Sequence, residues 1–289
     1  MSKKILASVL CLCLVVLAAA GIEPAYAAPA FLPITAPSAV LLDGTTQRLF
    51  FAKTPYMRRA PASTTKILTA IVAVELLPLD QVVTIPPFVG SIEPSKIYLR
   101  PGEHYRVRDL VRATLISSAN DAAEVLGFAA AGSRANFARH MNKKARSIGC
   151  RRSHFMNPSG LPARDQYSTA YDMALIMKEA QRHSFLVDTM KTKTRTIESL
   201  RGRRIPLRNH NKMLWRGHSE VIGKTGYTIK ARHCFVGHIE AFNKTVYLFG
   251  QKRLFLSANP APVPNPSQPG EAPAIEEISP TRDPERGEK

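Results

Sequence analysis

The hydrophobic period of this chain changes twice, and that change limits its fold more than any figure of composition. Ser38 to Ala52 alternates apolar and polar residues around Asp43-Gly44, the pattern of two strands joined as a hairpin. Ser63 to Leu77 is apolar on nearly all sides, which predicts a helix buried in the middle of a domain. Val107 to Ile116, Asp121 to Ala131 and Ser133 to Ile148 show helical spacing, with Gly132 and Gly149 as stops, and Thr169 to His183 repeats it. Strand patterns then return at Lys191 to Ile197, Val221 to Thr228, Cys234 to Glu240 and Thr245 to Gly250. Strands, a helical middle and strands again describe an α+β fold: an antiparallel sheet assembled from both chain ends with a helical subdomain between them.

The segments flanking that globule differ in kind. In residues 1–27, Lys3 and Lys4 precede an apolar run from Ile5 to Ile22, and Ala25-Tyr26-Ala27 places small residues where a signal peptidase reads, so we expect a secretory signal. The competing reading is an uncleaved anchor, since the run approaches the roughly 20 residues that span a bilayer. Residues 28–37 form a short linker, 38–257 the folded domain and 258–289 a tail. That tail has eight prolines and almost no large apolar side chains, and it cannot bury enough surface to offset the entropy of ordering it.

Charge narrows the partners. The tail holds three basic and six acidic residues, and the first 27 residues hold Lys3, Lys4 and Glu23, so a total of +18 leaves +20 on residues 28–257. An exported protein with that surplus meets wall polymers or membrane surfaces as polyanions; the plainer alternative is a solvated positive surface. No stretch interleaves aromatic and basic residues as a nucleic-acid platform does, and no nucleic-acid partner is expected. The eight histidines show no His-Glu-x-x-His or comparable cluster, and no metal is expected. Cys150 and Cys234 could pair or remain reduced.

Three short stretches carry chemistry. In Pro61-Ala-Ser-Thr-Thr-Lys66, Pro61 cannot continue a helix backwards and Ser63 is placed to cap the helix beyond it, near the partial positive charge of exposed N–H groups. Lys66 lies one turn in, on the same face, where burial and that positive end both lower its proton affinity. A neutral amine within reach of a serine hydroxyl is a general base; the structural alternative is a capping serine and a lysine that snorkels to water. Ile116-Ser-Ser-Ala-Asn-Asp121 connects two helices, and an extended link would aim Ser118 and Asn120 into one cleft. Gly223-Lys-Thr-Gly-Tyr-Thr228 has strand character, with Lys224 and Thr225 suited to a carboxylate, Gly223 and Gly226 allowing close approach of another backbone, and the N–H of Tyr227 available with that of Ser63 to receive an oxyanion.

In this order, Ser-x-x-Lys, Ser-x-Asn and Lys-Thr-Gly resemble the penicillin-binding serine D-alanyl-D-alanine carboxypeptidases of low molecular mass, which share a β-lactamase-like fold. The resemblance runs from about Ser38 to about Gly250 and includes Asn157 to Pro162, Tyr167 to Ile176 and Asn209 to Leu214. It implies that residues 38–257 are a serine DD-peptidase domain, with Ser63 as the acylated nucleophile, Lys66 as its base, Ser118 as the relay to the leaving D-Ala and Asn120 orienting the donor. Lys224, Thr225, Gly226 and Tyr227 would bind substrate. The substrates implied are peptidoglycan stem peptides in the periplasm or wall space, the inhibitors β-lactams, and no cofactor is needed.

Departures from the family pattern are equally specific. Ala119 replaces a usual glycine, Gln166 stands where histidine is common, and Ala231-Arg232 replaces Ala-Gly after the third motif. No Glu-x-x-Leu-Asn lies between Asn120 and Lys224, so rapid β-lactam hydrolysis is not expected. The proline-rich tail begins where relatives continue into a closing helix, and Arg253 is the candidate for an extra carboxylate contact. An endopeptidase cutting D-Ala cross-links would use the same residues, and a catalytically silent wall-binding protein is the alternative of a different class.

Overall fold

The computed structural model describes residues 35–241 and 244–251. The expectations for residues 1–27, the tail and Arg253 lie outside that range. Five antiparallel strands form the main sheet in the order β2-β1-β9-β8-β7, with β1 Ala39–Asp43, β2 Leu49–Lys53, β7 Ile222–Thr228, β8 Arg232–Ala241 and β9 Lys244–Gln251. The first hairpin therefore joins strands from the far end of the chain: β1 pairs with β2 on one side and, from Ala39↔Gly250 to Asp43↔Val246, with β9 on the other. Asp43 makes the turn by accepting from the N–H groups of Thr45 and Thr46 through one carboxylate oxygen, both at 2.8 Å. β7 is left at the edge of the sheet.

The helical layer packs on this sheet around α1 (Lys66–Leu76), whose residues from Lys66 through Ala73 are all buried. Around it lie α2 (Val107–Ile116), α3 (Asn120–Ala131), α4 (Arg134–Ser147) and α5 (Ala170–Ala180), and α5 also contacts β1, β8 and β9. Leu68 and Ile71 are fully buried in the shared core, and truncating either to Ala would cost about 2–5 kcal/mol. Among the described residues no helix is long and apolar enough to cross a membrane.

Four local expectations need correction. The helix expected from Ser63 begins one turn later, after a 3-10 turn over Ala62–Thr65, and Ser63 makes no capping hydrogen bond. Its hydroxyl faces Lys66 instead. The helix expected over Thr169 to His183 ends at Ala180, because the N–H groups of Gln181, Arg182 and His183 reach back only three residues and His183 turns extended. A further helix, α6 (Ser184–Lys191), then forms, which the periodicity did not separate. The strand expected at Lys191 to Ile197 starts at Thr194, and it does not join the main sheet. As β5 (Thr194–Glu198) it pairs with β6 (Arg204–Arg208), a strand missed in the sequence because Pro206 interrupts it. The short pair β3 (Val82–Thr84) and β4 (His104–Arg106) was also missed.

Candidate active site

The serine is presented by a strained turn. Ala62, just before it, has φ +49°, and Gly160 (φ +79°) packs so tightly against it that a Cβ there would stand 2.0 Å from the Ala62 carbonyl oxygen. On the other side a Cβ at Gly226 would meet the Ser63 nitrogen at 3.0 Å and that of Thr64 at 3.1 Å. The close approach read for Gly226 is thus made by the edge strand β7 against the backbone N–H groups beside Ser63. Gly223 makes the same kind of close approach to a different backbone, since a Cβ there would lie 2.3 Å from the Val236 carbonyl oxygen inside the sheet.

Lys66 is fully buried, and its Nζ has three oxygen neighbours: Ser63 Oγ at 2.9 Å, Asn120 Oδ1 at 2.7 Å and the Ser159 carbonyl at 2.5 Å. A neutral amine has two N–H groups and one lone pair. It can donate to Asn120 and Ser159 while its lone pair faces the serine hydroxyl, so one proton can pass between Oγ and Nζ without the other two contacts breaking. Desolvation and then repulsion by Lys224 push the lysine well below its ordinary value, although the Glu124 and Asp121 carboxylates pull the other way.

Ser118 reaches the cleft by another route than the one expected. The link is not extended at that residue: Ser118 has φ +57°, and the chain straightens only at Ala119, which precedes the first turn of α3. A non-glycine residue in that region costs about 1–2 kcal/mol. The Lys224 Nζ, 2.8 Å from Ser118 Oγ and 2.7 Å from the Thr225 carbonyl, and the Ala119 N–H to Ala113 bond hold it there. Burial lowers Lys224 to about 7. Asn120 spends its amide on Glu93 O at 3.0 Å, which fixes its Oδ1 toward Lys66. Thr225 is half-buried on β7, and Tyr227 is 54% exposed, with its ring 4.7 Å from that of His233.

Direct contacts therefore join Ser63, Lys66 and Asn120 in one group and Ser118 and Lys224 in a second, the two lysines repel each other, and Gly226 lies against the serine backbone. Two contributors were missed. The Ser159 carbonyl holds Lys66, while its hydroxyl donates to Glu124 at 2.8 Å, and Glu124 takes a second bond from Arg134 at 2.9 Å. Asn157-Pro-Ser-Gly was visible as a shared stretch, but a backbone carbonyl leaves no mark on residue type. Gln166, in place of histidine, accepts from the N–H groups of Met156 and Asn157 and donates to Leu161 O, bracing that loop. Arg232 has φ +58°, a left-handed position that explains why glycine is usual there. Cys150 and Cys234 are both buried and unpaired with each other.

A serine bonded to a buried lysine at the edge of an antiparallel sheet, under a helical layer, defines a β-lactamase-like fold of the penicillin-binding class. The D-alanyl-D-alanine carboxypeptidase family model matches residues 24–248, and the chain belongs to that family. It is 32% identical over 214 residues to the Bacillus subtilis D-alanyl-D-alanine carboxypeptidase DacF, covering 72% of this chain and 55% of that one. The Escherichia coli D-alanyl-D-alanine endopeptidase is 28% identical over 237 residues, covering 78% of this chain and 76% of its own. Among solved structures, a Mycobacterium tuberculosis D-alanyl-D-alanine carboxypeptidase superposes with a TM-score of 0.72 at 28% identity, over 81% of this chain and 90% of that one. The chain spans 52–61% of the first curated relatives it matches.

Proposed function

We propose that this protein is a serine-type D-alanyl-D-alanine carboxypeptidase that removes the terminal D-Ala from peptidoglycan stem peptides. The observation that carries the reading is the Ser63–Lys66 pair: a hydroxyl 2.9 Å from an amine that burial holds well below its ordinary proton affinity. Lys66 Nζ takes the Ser63 proton as Oγ bonds to the carbonyl carbon of the penultimate D-Ala, and the N–H groups of Ser63 and Tyr227 receive the oxyanion. The C–N bond to the terminal D-Ala then breaks, the proton held on Lys66 Nζ moving through the Ser118 hydroxyl to the leaving nitrogen, which leaves Ser118 protonated and the Lys66 amine neutral. Water adds to the ester with Lys66 again as base, which frees the shortened peptide and restores the hydroxyl. Asn120 orients the donor, while Lys224 and Thr225 take the terminal carboxylate. The position of β7 at the edge of the described strands supports this pose, since an extended peptide can lie along it as an added strand.

A β-lactam presents the same carbonyl and carboxylate and would leave a slowly hydrolysed ester on Ser63. Residues 1–27 would export the chain to the wall space, where its positive surface could meet anionic wall polymer or membrane. The test is to incubate the chain with a fluorescent penicillin and to locate the label by peptide mass mapping, with Ser63→Ala as the control. Label on Ser63 that vanishes in the variant supports the reading. A folded chain that takes no label would overturn it in favour of a silent wall-binding protein.

A further inference from the structure

Two basic grooves on the described surface differ in how their charge is balanced. One, of about 630 Å³, lies where α2 meets β5 and is lined by Arg106, Arg108, Arg112 and Arg195. Carboxylates neutralise most of it: Asp80 pairs with Arg106 and Arg108, and Asp109 with Arg112, while Glu198 shares the wall. The other, of about 440 Å³, is lined by Arg208, Asn209, His210, Lys212, Trp215 and Arg216, with no carboxylate in its wall. Among the described residues Arg208, Lys212 and Arg216 form no ion pair. Arg208 stacks over the Trp215 ring at 3.9 Å instead, and Trp215 Nε1 donates to Asn209 O at 3.0 Å, so a fixed indole carries the first of three cations that no described carboxylate pairs with.

This second groove adjoins the catalytic centre at one particular place. The Arg208 N–H donates to Ser117 Oγ at 3.1 Å, and the His210 N–H to Ile116 O at 3.4 Å, so the wall begins one residue from Ser118. The His210 ring lies near enough to both site lysines that, after desolvation, repulsion from Lys224 and Lys66 lowers its proton affinity. In the proposed mechanism Ser118 is the hydroxyl that delivers the proton to the departing nitrogen, which puts the wall bonded to Ser117 and Ile116 beside the leaving group.

We propose that this groove receives the leaving group and selects a peptide amine carrying a carboxylate beyond the one next to the scissile bond. Such a leaving group is the second stem peptide of a D-alanyl cross-link, as opposed to D-alanine alone. The proposal rests on the acyl-transfer reading above and leaves its chemistry unchanged: the carbonyl C–N bond breaks, the acyl group stays on Ser63 Oγ, and the serine proton ends on the leaving nitrogen. Arg208, Lys212 and Arg216 supply the attraction and Trp215 the apolar floor.

The test uses the full chain and two synthetic substrates with the same acyl donor. Each releases a D-amino acid whose side chain ends either in a carboxylate or in the corresponding amide. The readout is the ratio of kcat/KM for the carboxylate over the amide. We expect a ratio of about ten at low ionic strength, shrinking toward one as salt screens the exposed cations. The double charge reversal Lys212→Glu with Arg216→Glu should bring the ratio to one or below. Should thermal melting show that variant unfolded, Lys212→Gln with Arg216→Gln decides. A ratio of one in the parent, or an unchanged ratio in the variant, overturns the groove. Penicillin labelling separates the two levels: a parent that labels at Ser63 and releases D-Ala without carboxylate preference loses only the groove, whereas one that neither labels nor turns over loses both.

Discussion

Lys66 and Lys144 are both drawn in from solvent, yet their surroundings drive them in opposite directions. Lys144, on α4, donates to Glu75 at 2.5 Å and to Glu179 at 2.7 Å. Burial opposes its charge, but the hydrogen bonds to Glu179 and Glu75 outweigh it and raise its pKa. Glu179 answers in kind: burial works against its charge, and the Lys144 hydrogen bond nonetheless holds the carboxyl low. With His183 these two carboxylates form the only group of potential metal ligands among the described residues, and the Lys144 ammonium already stands between them.

Lys66 has carboxylates nearby as well, but they are kept off its amine. Asp121 is occupied by the N–H groups of Ile97, Leu99 and Ala122, and Glu124 by Ser159 and Arg134. Only neutral oxygens touch Nζ. Depth alone, then, does not set a lysine's charge. Direct contact with a carboxylate stabilises the ammonium, whereas neutral acceptors leave the desolvation cost standing.

The sharpest way to break this contrast is Lys66→Arg. A guanidinium cannot deprotonate in a protein, so acylation by penicillin should fall about 10³- to 10⁴-fold, measured by stopped-flow labelling. An acylation rate within tenfold of the parent would remove Lys66 as the base. Next, Asn120→Asp sets a carboxylate directly on Nζ and makes Lys66 resemble Lys144. Acylation at pH 7 should drop about 100-fold and recover as the pH rises, because the ammonium now needs a higher pH to lose its proton. A loss that does not recover with pH would mean that Asn120 acts only by positioning.

A third prediction concerns Lys224, which titrates near 7. Below that pH it is a cation able to hold a carboxylate; above it the charge is lost. KM for a carboxylate-terminated peptide should therefore climb by about tenfold per pH unit above 7, while the amidated peptide shows no such rise. Linkage gives a companion effect on stability. The folded state binds fewer protons than the unfolded chain between about 7 and the ordinary lysine value, so Lys224 contributes destabilisation below that window that is relieved as the pH rises through it. Melting curves of the parent and Lys224→Met, compared across that window, read the difference; parallel curves would contradict the lowered value.

The smallest effect belongs to the control lysine. Lys144→Met leaves two carboxylates without their shared cation and should cost about 1–2 kcal/mol, a drop in Tm of roughly 2–8 °C. Because Glu179 is held low by that cation, its contribution is present above the unfolded carboxylate value and lost as the pH falls through the folded one. The Lys144→Met deficit should thus narrow in acid. A deficit that persists unchanged at low pH would show that packing, not charge, is what Lys144 supplies.

The fold class was legible because both periods are local. The strands of the main sheet fell within a few residues of their expected places, and so did α2, α3 and α4. The misses have separate causes. β5 was expected as a strand but not as one paired outside the main sheet, β6 alternates in burial yet carries Pro206 within it, and α6 follows α5 across a turn of three residues that no glycine or proline marks.

The chemistry-bearing residue types, their order along the chain and the lysine one turn beyond the serine were determined by the sequence alone. Tertiary structure decided what touches what. The bonds that make Lys66 a candidate base come from Asn120 and Ser159, 54 and 93 residues away, and Ser118 meets Lys224 across 106. Capping, turn and helix preferences act over about one helical turn, and from them Ser63 reads as a cap. Only the packing of β7 and the Gly160 loop against a strained turn aims that hydroxyl at the amine, because burial and contact geometry are properties of the assembled core and not of any segment within it.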